Sequence, residues 1–355
     1  MTDIDIYATI NGINYKPRLC RDLKTFDFDD LGEALHKEAS FLLNVRKNKI
    51  AVSWWVSPKR TRSYPYARVY DTLCFVGKKI TIIPIVKDEG KDGDRDFLQW
   101  DTVSLMSLLD IYTIITYYID AEKNPKFKNK ITKQNFDLNH VKSEINKLLT
   151  FQSNALDWNL KQLEHVGEIG ERALEGYQKI SNKLGVEMHS RDLAEIRIEE
   201  LKKSMESFKN LSRDLAEKAQ KRERVTIQPK ENIKGVKGTL TIKNNLGGYY
   251  YFTCDEVEFH GNQVYLIEAK HSKLKELPSD EDIKDGLLRM VLYTNLKTLE
   301  INGKTYEPVP VLKLTTAKNV NVNFLKRSKT FIEFLKESKE NGFKVMLNNE
   351  TVNNE

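Results

Sequence analysis

The stretch DEVEFHGNQVYLIEAKHSK, residues 255–273, sets two short apolar runs on either side of a Gly-Asn pair. Gly-Asn is a favoured two-residue loop of a β-hairpin, so the pattern predicts two antiparallel strands that turn at this pair. Counting outward from the turn places Asp255, at the start of the first strand, opposite Glu268, near the end of the second. Strand pairing therefore brings two carboxylates together at one end of the hairpin.

The same register predicts which residues share a face of the hairpin, because side chains alternate along a strand. One face is apolar near the turn and charged at its far end, with Asp255, Val257, Phe259, Val264, Leu266, Glu268 and Lys270. The opposite face carries Glu256, Glu258 and Tyr265, which we expect to be solvated. Two facing carboxylates repel each other unless a positive charge lies between them. Lys270 supplies one such charge, and Mg²⁺ would supply a stronger one.

An acid, any residue and a lysine also follow one another elsewhere in the chain, so position must decide among the matches. Glu89 and Lys91 form the main rival, with Asp71 upstream. The run at 68–86 predicts a hairpin that turns near residue 77, and in that register Asp71 and Glu89 do not meet. The hairpin at 255–270 is therefore the place where geometry gathers the charges.

The whole chain predicts an α+β protein in three segments. Residues 1–136 are rich in strand-like runs and form a β-rich N-terminal domain, whereas residues 137–222 are almost wholly helical in pattern. Within residues 223–355, strands between about 239 and 270 precede a helix at 280–299, a strand at 309–317 and a helix at 322–340. A mixed sheet flanked by helices is the natural packing for that order.

The apolar segment 101–119 predicts a buried helix. It is barely long enough to span a membrane, and Asp110 lies near its middle. We therefore expect no membrane span in this chain.

Asp255 and the triplet Glu268-Ala269-Lys270, in this order of helix, strands, helix and strand, resemble the PD-(D/E)xK nuclease superfamily. Many type II restriction endonucleases belong to that superfamily, and the resemblance covers roughly residues 190–340. It implies that Asp255, Glu268 and the backbone carbonyl of Ala269 ligate Mg²⁺. It also implies that Lys270 orients the attacking water or helps to deprotonate it, and that it stabilises the negative charge that develops on the phosphate.

The resemblance further implies an acid on the helix before the first strand of the core. Glu217 and Glu223 both occupy such a place, and the residues do not choose between them. One departure is visible, since Cys254 stands where the family often has proline.

A basic stretch rich in tyrosine, SPKRTRSYPYARVY, lies at residues 57–70. Basic side chains neutralise phosphates, and tyrosines stack on bases or donate to backbone oxygens. A solvent-exposed basic loop explains the stretch equally well. Beside a nuclease core we favour DNA contact, through Lys59, Arg60, Arg62, Arg68, Tyr64 and Tyr66.

The composition sets limits on these predictions. The 355 residues include 57 Lys and Arg against 51 Asp and Glu, a formal net charge of +6, which is compatible with a polyanionic partner. The first residues, MTDIDIYATI, carry acids where a signal peptide carries bases, so we expect a cytoplasmic protein.

Together these features predict a Mg²⁺-dependent DNA endonuclease, and most specifically a type II restriction enzyme. Such an enzyme would act on double-stranded DNA as a homodimer, with a cognate DNA methyltransferase encoded nearby. A repair or phage-defence nuclease with little sequence preference is one alternative. A nucleic-acid-binding protein with a nuclease-like fold and no catalysis is the other.

Overall fold

The computed structural model describes residues 4–58, 64–203, 206–210, 212–214, 217, 236–272, 277–316, 328–348 and 350–352. Its strands, in chain order, are β1 (Ile4–Ile10), β2 (Thr25–Asp27), β3 (Ser40–Val45), β4 (Asn48–Trp54), β5 (Lys79–Pro84), β6 (Val86–Asp88), β7 (Arg95–Phe97), β8 (Ile111–Thr116), β9 (Tyr118–Lys123), β10 (Ile131–Phe136), β11 (Val236–Asn244), β12 (Tyr249–His260), β13 (Gln263–Ser272), β14 (Thr298–Ile301), β15 (Lys304–Thr305), β16 (Glu307–Thr316), β17 (Lys344–Leu347) and β18 (Glu350–Thr351). Its helices are α1 (Leu31–Lys37), α2 (Tyr64–Thr72), α3 (Trp100–Leu108), α4 (Leu138–Thr150), α5 (Ala155–Glu164), α6 (Val166–Leu184), α7 (Arg191–Lys203), α8 (Asp280–Tyr293) and α9 (Lys329–Asn341).

The chain divides into two compact units. One unit joins Met1–Asp22 to Arg213–Glu355, and the other comprises Leu23–Ser212. These boundaries differ from the three segments that the sequence predicts, which end at residues 136, 222 and 355. The difference arises because distant parts of the chain pair with one another, and local sequence patterns carry no signal for such pairing.

The first unit is built on a nine-stranded mixed sheet in the order β15-β14-β1-β11-β12-β13-β16-β17-β18. Strands β11, β12 and β13 form an antiparallel meander, while β16 runs parallel to β13 and β17 runs parallel to β16. Parallel neighbours need a crossover connection, and α8 and α9 lie in the two crossovers. The predicted α+β class, with a mixed sheet flanked by helices, is confirmed.

Strand β1 brings the N-terminus of the chain into this sheet. It pairs in parallel with β11, from Ile4 beside Gly238 to Ile10 beside Asn244, and antiparallel with β14. Ile6 and Ile10 are fully buried on it. The first residues therefore belong to the C-terminal sheet and not to a separate N-terminal domain.

The second unit contains a five-stranded sheet in the order β2-β3-β4-β5-β8. Helix α5 packs on its edge strand β8, and two buried amides of the helix bond to the strand's backbone. Asn159 accepts from the N–H of Thr113 at 2.7 Å and donates to the carbonyl of Ile111 at 3.0 Å. Gln162 accepts from the N–H of Ile115 at 3.1 Å. The helical middle of the chain thus covers a sheet edge that would otherwise expose unpaired backbone groups.

Two predicted elements of this unit are wrong. The predicted hairpin at 68–86 is helix α2 followed by strand β5, and the predicted helix at 101–119 is helix α3 followed by strand β8. The break in the second segment falls at Asp110, whose φ is +54°. A strand buried on both faces is a continuous apolar run, which periodicity does not separate from a buried helix. In the described part of the chain, no helix is long and apolar enough to cross a membrane.

Replacing Asn159 by leucine should destabilise the second unit. The change removes both bonds to the backbone of β8, together with the bond from the hydroxyl of Thr113. It leaves buried backbone groups of Thr113 and Ile111 without those partners, at about 1–3 kcal/mol for each group. We expect the free energy of unfolding, measured by urea denaturation, to fall by about 2–4 kcal/mol. The exposed Asn182→Leu is the matched control, and we expect a change of no more than about 0.5 kcal/mol.

Candidate active site

The β12–β13 hairpin turns where the sequence predicts. Gly261 has a φ of +65°, in the left-handed region that favours glycine. The paired residues are His260 and Gln263, Phe259 and Val264, Glu258 and Tyr265, Val257 and Leu266, and Glu256 and Ile267. The ladder therefore has the predicted register up to the residue next to Asp255.

Asp255 lies at an irregularity of strand β12. The register with β11 shifts at Asp255 and Glu256, which marks a β-bulge, a feature that often re-aims a side chain beside a functional site. The carboxylate of Asp255 accepts a hydrogen bond from the backbone N–H of Ala269 at 2.7 Å. Asp255 is thereby tied to the residue that directly follows Glu268.

Glu268 is a buried carboxylate, 4% exposed, on strand β13. Its Oε1 lies 2.9 Å from the Lys270 ammonium and 3.9 Å from Nε of Arg289. Its Oε2 is buried and has no hydrogen-bond partner among the described residues. A buried carboxylate oxygen without a hydrogen-bond partner lowers the stability of the fold, so a cation or a proton donor fits beside it.

Lys270 lies between two carboxylates. Its Nζ is 2.9 Å from Glu268 and 2.6 Å from Asp285, a residue of helix α8. Burial by itself would lower the pKa of Lys270, but the charges of Glu268 and Asp285 outweigh burial and raise that pKa well above its usual value. The ammonium is therefore charged at neutral pH.

Helix α8 covers the charged end of the hairpin. Ser279 caps its N-terminus by accepting from the N–H of Asp282 at 3.2 Å. Gly286 allows a close approach, because a Cβ there would lie 2.6 Å from Cδ1 of Leu312. One turn beyond Asp285, the guanidinium of Arg289 stacks 3.8 Å from the ring centroid of Phe252.

Asp285 and Arg289 are not among the site residues that the sequence predicts. Their spacing of four residues puts both on one face of α8, and that spacing is visible in the sequence. Which face meets the hairpin depends on how the helix packs, so the pattern alone could not assign them to the site.

The oxygen atoms available at this site are of the kind that bind a hard cation such as Mg²⁺. Asp255, Glu268 and the backbone carbonyl of Ala269 are oxygen donors, which Mg²⁺ prefers, and water completes its shell in most proteins. The unpartnered Oε2 of Glu268 is the observation that favours a cation here. Among the described residues, no three His, Cys, Asp or Glu side chains are grouped to hold a metal, so a bound ion would keep several waters.

Glu256 corrects one prediction for this hairpin. We expected a solvated side chain, but Glu256 is only 2% exposed and forms an ion pair with Lys313, with Nζ to carboxylate distances of 2.9 and 3.0 Å. The reason is strand β16, which pairs with β13 and places Lys313 beside Ala269. The second face of the hairpin is therefore buried at Glu256, whereas Glu258, with a side chain 43% exposed, and Tyr265 are partly exposed nearer the turn.

The other predicted residues of this unit are placed as follows. Glu217 accepts a hydrogen bond from the hydroxyl of Tyr251 at 3.1 Å, while Glu223 lies outside the described residues. Cys254 is buried and is a free thiol, and its Sγ lies 3.4 Å from the carbonyl of Ile267. Burial, and the negative charges of Asp255 and Glu268 nearby, raise the pKa of the Cys254 thiol well above its usual value.

The basic stretch of residues 57–70 is only partly described. Lys59, Arg60 and Arg62 lie outside the described residues, and Tyr64 and Tyr66 belong to α2 although their side chains are not described. Arg68 donates to the carbonyl of Trp54 at 2.9 Å, and its guanidinium lies 4.3 Å from that ring's centroid. Arg68 therefore has a packing role within its own unit, and its DNA contact stays a prediction.

The rival acid at Glu89 is part of an ion cluster. Its carboxylate bonds Lys87 and lies 2.9 Å from Nζ of Lys130, while Asp71 is buried on helix α2. Burial by itself would raise the pKa of Glu89, but the hydrogen bonds from Lys87 and Lys130 lower it to about 2. The carboxylate of Glu89 is thus paired with the ammonium groups of two lysines.

Comparison of the chain with protein-family models, curated proteins and solved structures finds no match. The resemblance to the PD-(D/E)xK superfamily therefore rests on the residues and strand order of this chain alone.

Replacing Glu89 by glutamine should lower stability in a pH-dependent way. The folded pKa of about 2 lies below the ordinary value, so the carboxylate stabilises the fold above pH ~5 and loses that effect as the pH falls towards 2. We expect Glu89→Gln to lower the free energy of unfolding by about 1–2 kcal/mol at pH 7, after allowance for solvent screening. The difference from wild type should shrink steadily in urea denaturation between pH 5 and about 3.

Glu195→Gln is the control, because Glu195 pairs with Arg191 on an exposed surface, where such pairs contribute little. A loss for Glu89→Gln that is equal at pH 7 and at about pH 3 would show that its charge is not the cause.

Proposed function

We propose that this protein is a Mg²⁺-dependent DNA endonuclease whose active site consists of Asp255, Glu268 and Lys270. The observation that carries the proposal is the carboxylate of Glu268. It is buried, it has a lysine at 2.9 Å, and one of its oxygens has no hydrogen-bond partner among the described residues. A site of this kind favours a cation and has an ammonium in place beside it.

The strand order of the first unit supports the proposal. Three antiparallel strands are followed by helix α8 and, after the short strands β14 and β15, by β16, which runs parallel to β13. Apart from those two short strands, this is the order on which the resemblance depends. The hairpin carries Asp255 on one strand and Glu268 and Lys270 on the next.

The charge balance of the site supports a cation as well. Asp255, Glu268 and Asp285 carry three negative charges, and Lys270 and Arg289 carry two positive ones. The resulting formal charge of −1 repels a phosphodiester, whereas a divalent cation would reverse its sign. A metal requirement for cleavage follows from this balance.

Hydrolysis adds water across a P–O bond of the DNA backbone and releases a phosphate end and a hydroxyl end. When bound, Mg²⁺ would lower the pKa of a coordinated water and neutralise charge on the scissile phosphate. Lys270, which is charged, would donate hydrogen bonds to a phosphate oxygen and to the attacking water. Because it holds its proton, Lys270 orients the water and does not take a proton from it.

The most specific form of the proposal is a cytoplasmic type II restriction endonuclease. In addition to the unit that bears the site, the chain has a second compact unit, Leu23–Ser212, which is available for target recognition. A homodimer would present two sites to double-stranded DNA and cut both strands, and a cognate methyltransferase would protect the host's own sites.

Incubation of the purified protein with plasmid DNA and Mg²⁺ should produce discrete fragments on a gel, and EDTA should prevent cleavage. Lys270→Ala should lower the cleavage rate by about 100-fold or more, because it removes the charge that steadies the transition state. Lys304→Ala, which changes an exposed lysine of β15, is the matched control and should cut at the wild-type rate.

The form of the result separates the alternatives. A smear instead of fragments would indicate a repair or defence nuclease with little sequence preference. DNA binding without any cutting would indicate a non-catalytic binding protein. Unchanged cleavage by a folded Lys270→Ala variant would show that the active site lies elsewhere.

A further inference from the structure

Asp285 contacts the active-site lysine from the helix that covers the hairpin. Its Oδ2 lies 2.6 Å from Nζ of Lys270, closer than the 2.9 Å between that nitrogen and Glu268. The side chains of Lys270 and Asp285 are 16% and 15% exposed. This charged pair is largely shielded from solvent, where such contacts are stronger than on an open surface.

The contact depends on the close approach of helix α8 to the sheet. Gly286 follows Asp285, and a Cβ at Gly286 would lie 3.4 Å from Cε of Lys270 and 2.6 Å from a methyl group of Leu312. The helix therefore sits against the stem of the lysine, and this brings the carboxylate of Asp285 to its ammonium.

Two carboxylates thus share one ammonium, and only one of them is a proposed metal ligand. A cation at Glu268 repels the Lys270 ammonium, which must then be held by another negative group if it is to stay in the site. Asp285 is that group, since it already bonds Nζ and lies on a different element from Glu268.

We propose that Asp285 is a positioning residue that holds the Lys270 ammonium, so that the carboxylate of Glu268 is available to a divalent cation. This inference rests on the proposed nuclease function. Without Asp285, the ammonium turns wholly to Glu268 and competes with the metal. Loss of Asp285 therefore weakens metal binding and lowers turnover, while DNA binding in the ground state changes little.

The first test measures Mg²⁺ binding to the protein alone, by isothermal titration calorimetry, and then DNA cleavage. Asp285→Asn should weaken Mg²⁺ binding by about fivefold or more and lower kcat by about tenfold or more, with KM for DNA within about twofold. Asp285→Glu keeps the charge and should recover most of the Mg²⁺ affinity. Glu281→Gln, an exposed acid on the same helix, is the matched control and should behave as wild type.

The second test is a double-mutant cycle in which Mg²⁺ binding is again measured without DNA. In a Lys270→Met background there is no ammonium to hold, so adding Asp285→Asn should weaken Mg²⁺ binding by less than about twofold. A loss that is equally large in both backgrounds would mean that Asp285 acts through its charge alone, and would overturn the inference. If Asp285→Asn does not fold, as judged by circular dichroism, Asp285→Ser takes its place in the cycle.

The outcomes separate this inference from the proposed function. If wild type binds Mg²⁺ and cuts DNA while folded Asp285→Asn binds and cuts equally well, the role of Asp285 is wrong and the nuclease proposal stands. If wild type neither binds Mg²⁺ nor cuts DNA, the nuclease proposal is wrong and the role of Asp285 falls with it.

Discussion

A charged carboxylate buried in a β-sheet is the constraint on which the first unit depends. Glu268 is 4% exposed, and removal of a carboxylate from water costs several kcal/mol unless charges and hydrogen bonds compensate it. Lys270 and Arg289 supply the charges, and Asp285 holds the lysine in turn. One oxygen of Glu268 has no partner in the described part of the chain, so the cluster fits a further positive ligand.

The other face of the same hairpin carries a second buried ion pair, between Glu256 and Lys313. Because successive residues point to opposite faces, a slip of β12 by one residue would send its charged side chains to the wrong side. The Glu256–Lys313 pair joins β12 to β16 and therefore opposes such a slip, whatever its net contribution to stability. The hydrogen bond from the N–H of Ala269 to the carboxylate of Asp255 also ties β12 to β13 in the register that places Glu268 and Lys270 under helix α8.

Much of the site could be predicted from the sequence because it lies within one hairpin. A Gly-Asn turn sets the register of the residues beside it, and the structure has that register as far as Glu256 and Ile267. The prediction was less complete where a second element meets the hairpin. Asp285 comes from a helix and Lys313 from a strand later in the chain, and no local pattern states which side chain will face which. The apolar run at 101–119 illustrates the same difficulty, because helix and buried strand share its composition.

The sequence by itself determined the α+β class, the succession of antiparallel strands, helix, strand and helix in the C-terminal part without the short strands β14, β15, β17 and β18, and the turn that aligns the proposed active-site residues. Those features follow from short-range chemistry: turn preferences, alternation along strands and periodicity along helices. Tertiary structure alone decided that Ile4–Ile10 joins the C-terminal sheet, that Glu256 is buried, and that Asp285 meets Lys270. The reason is physical, since each of these depends on contacts between residues far apart in the chain, whose partners are set by packing and not by their neighbours in sequence.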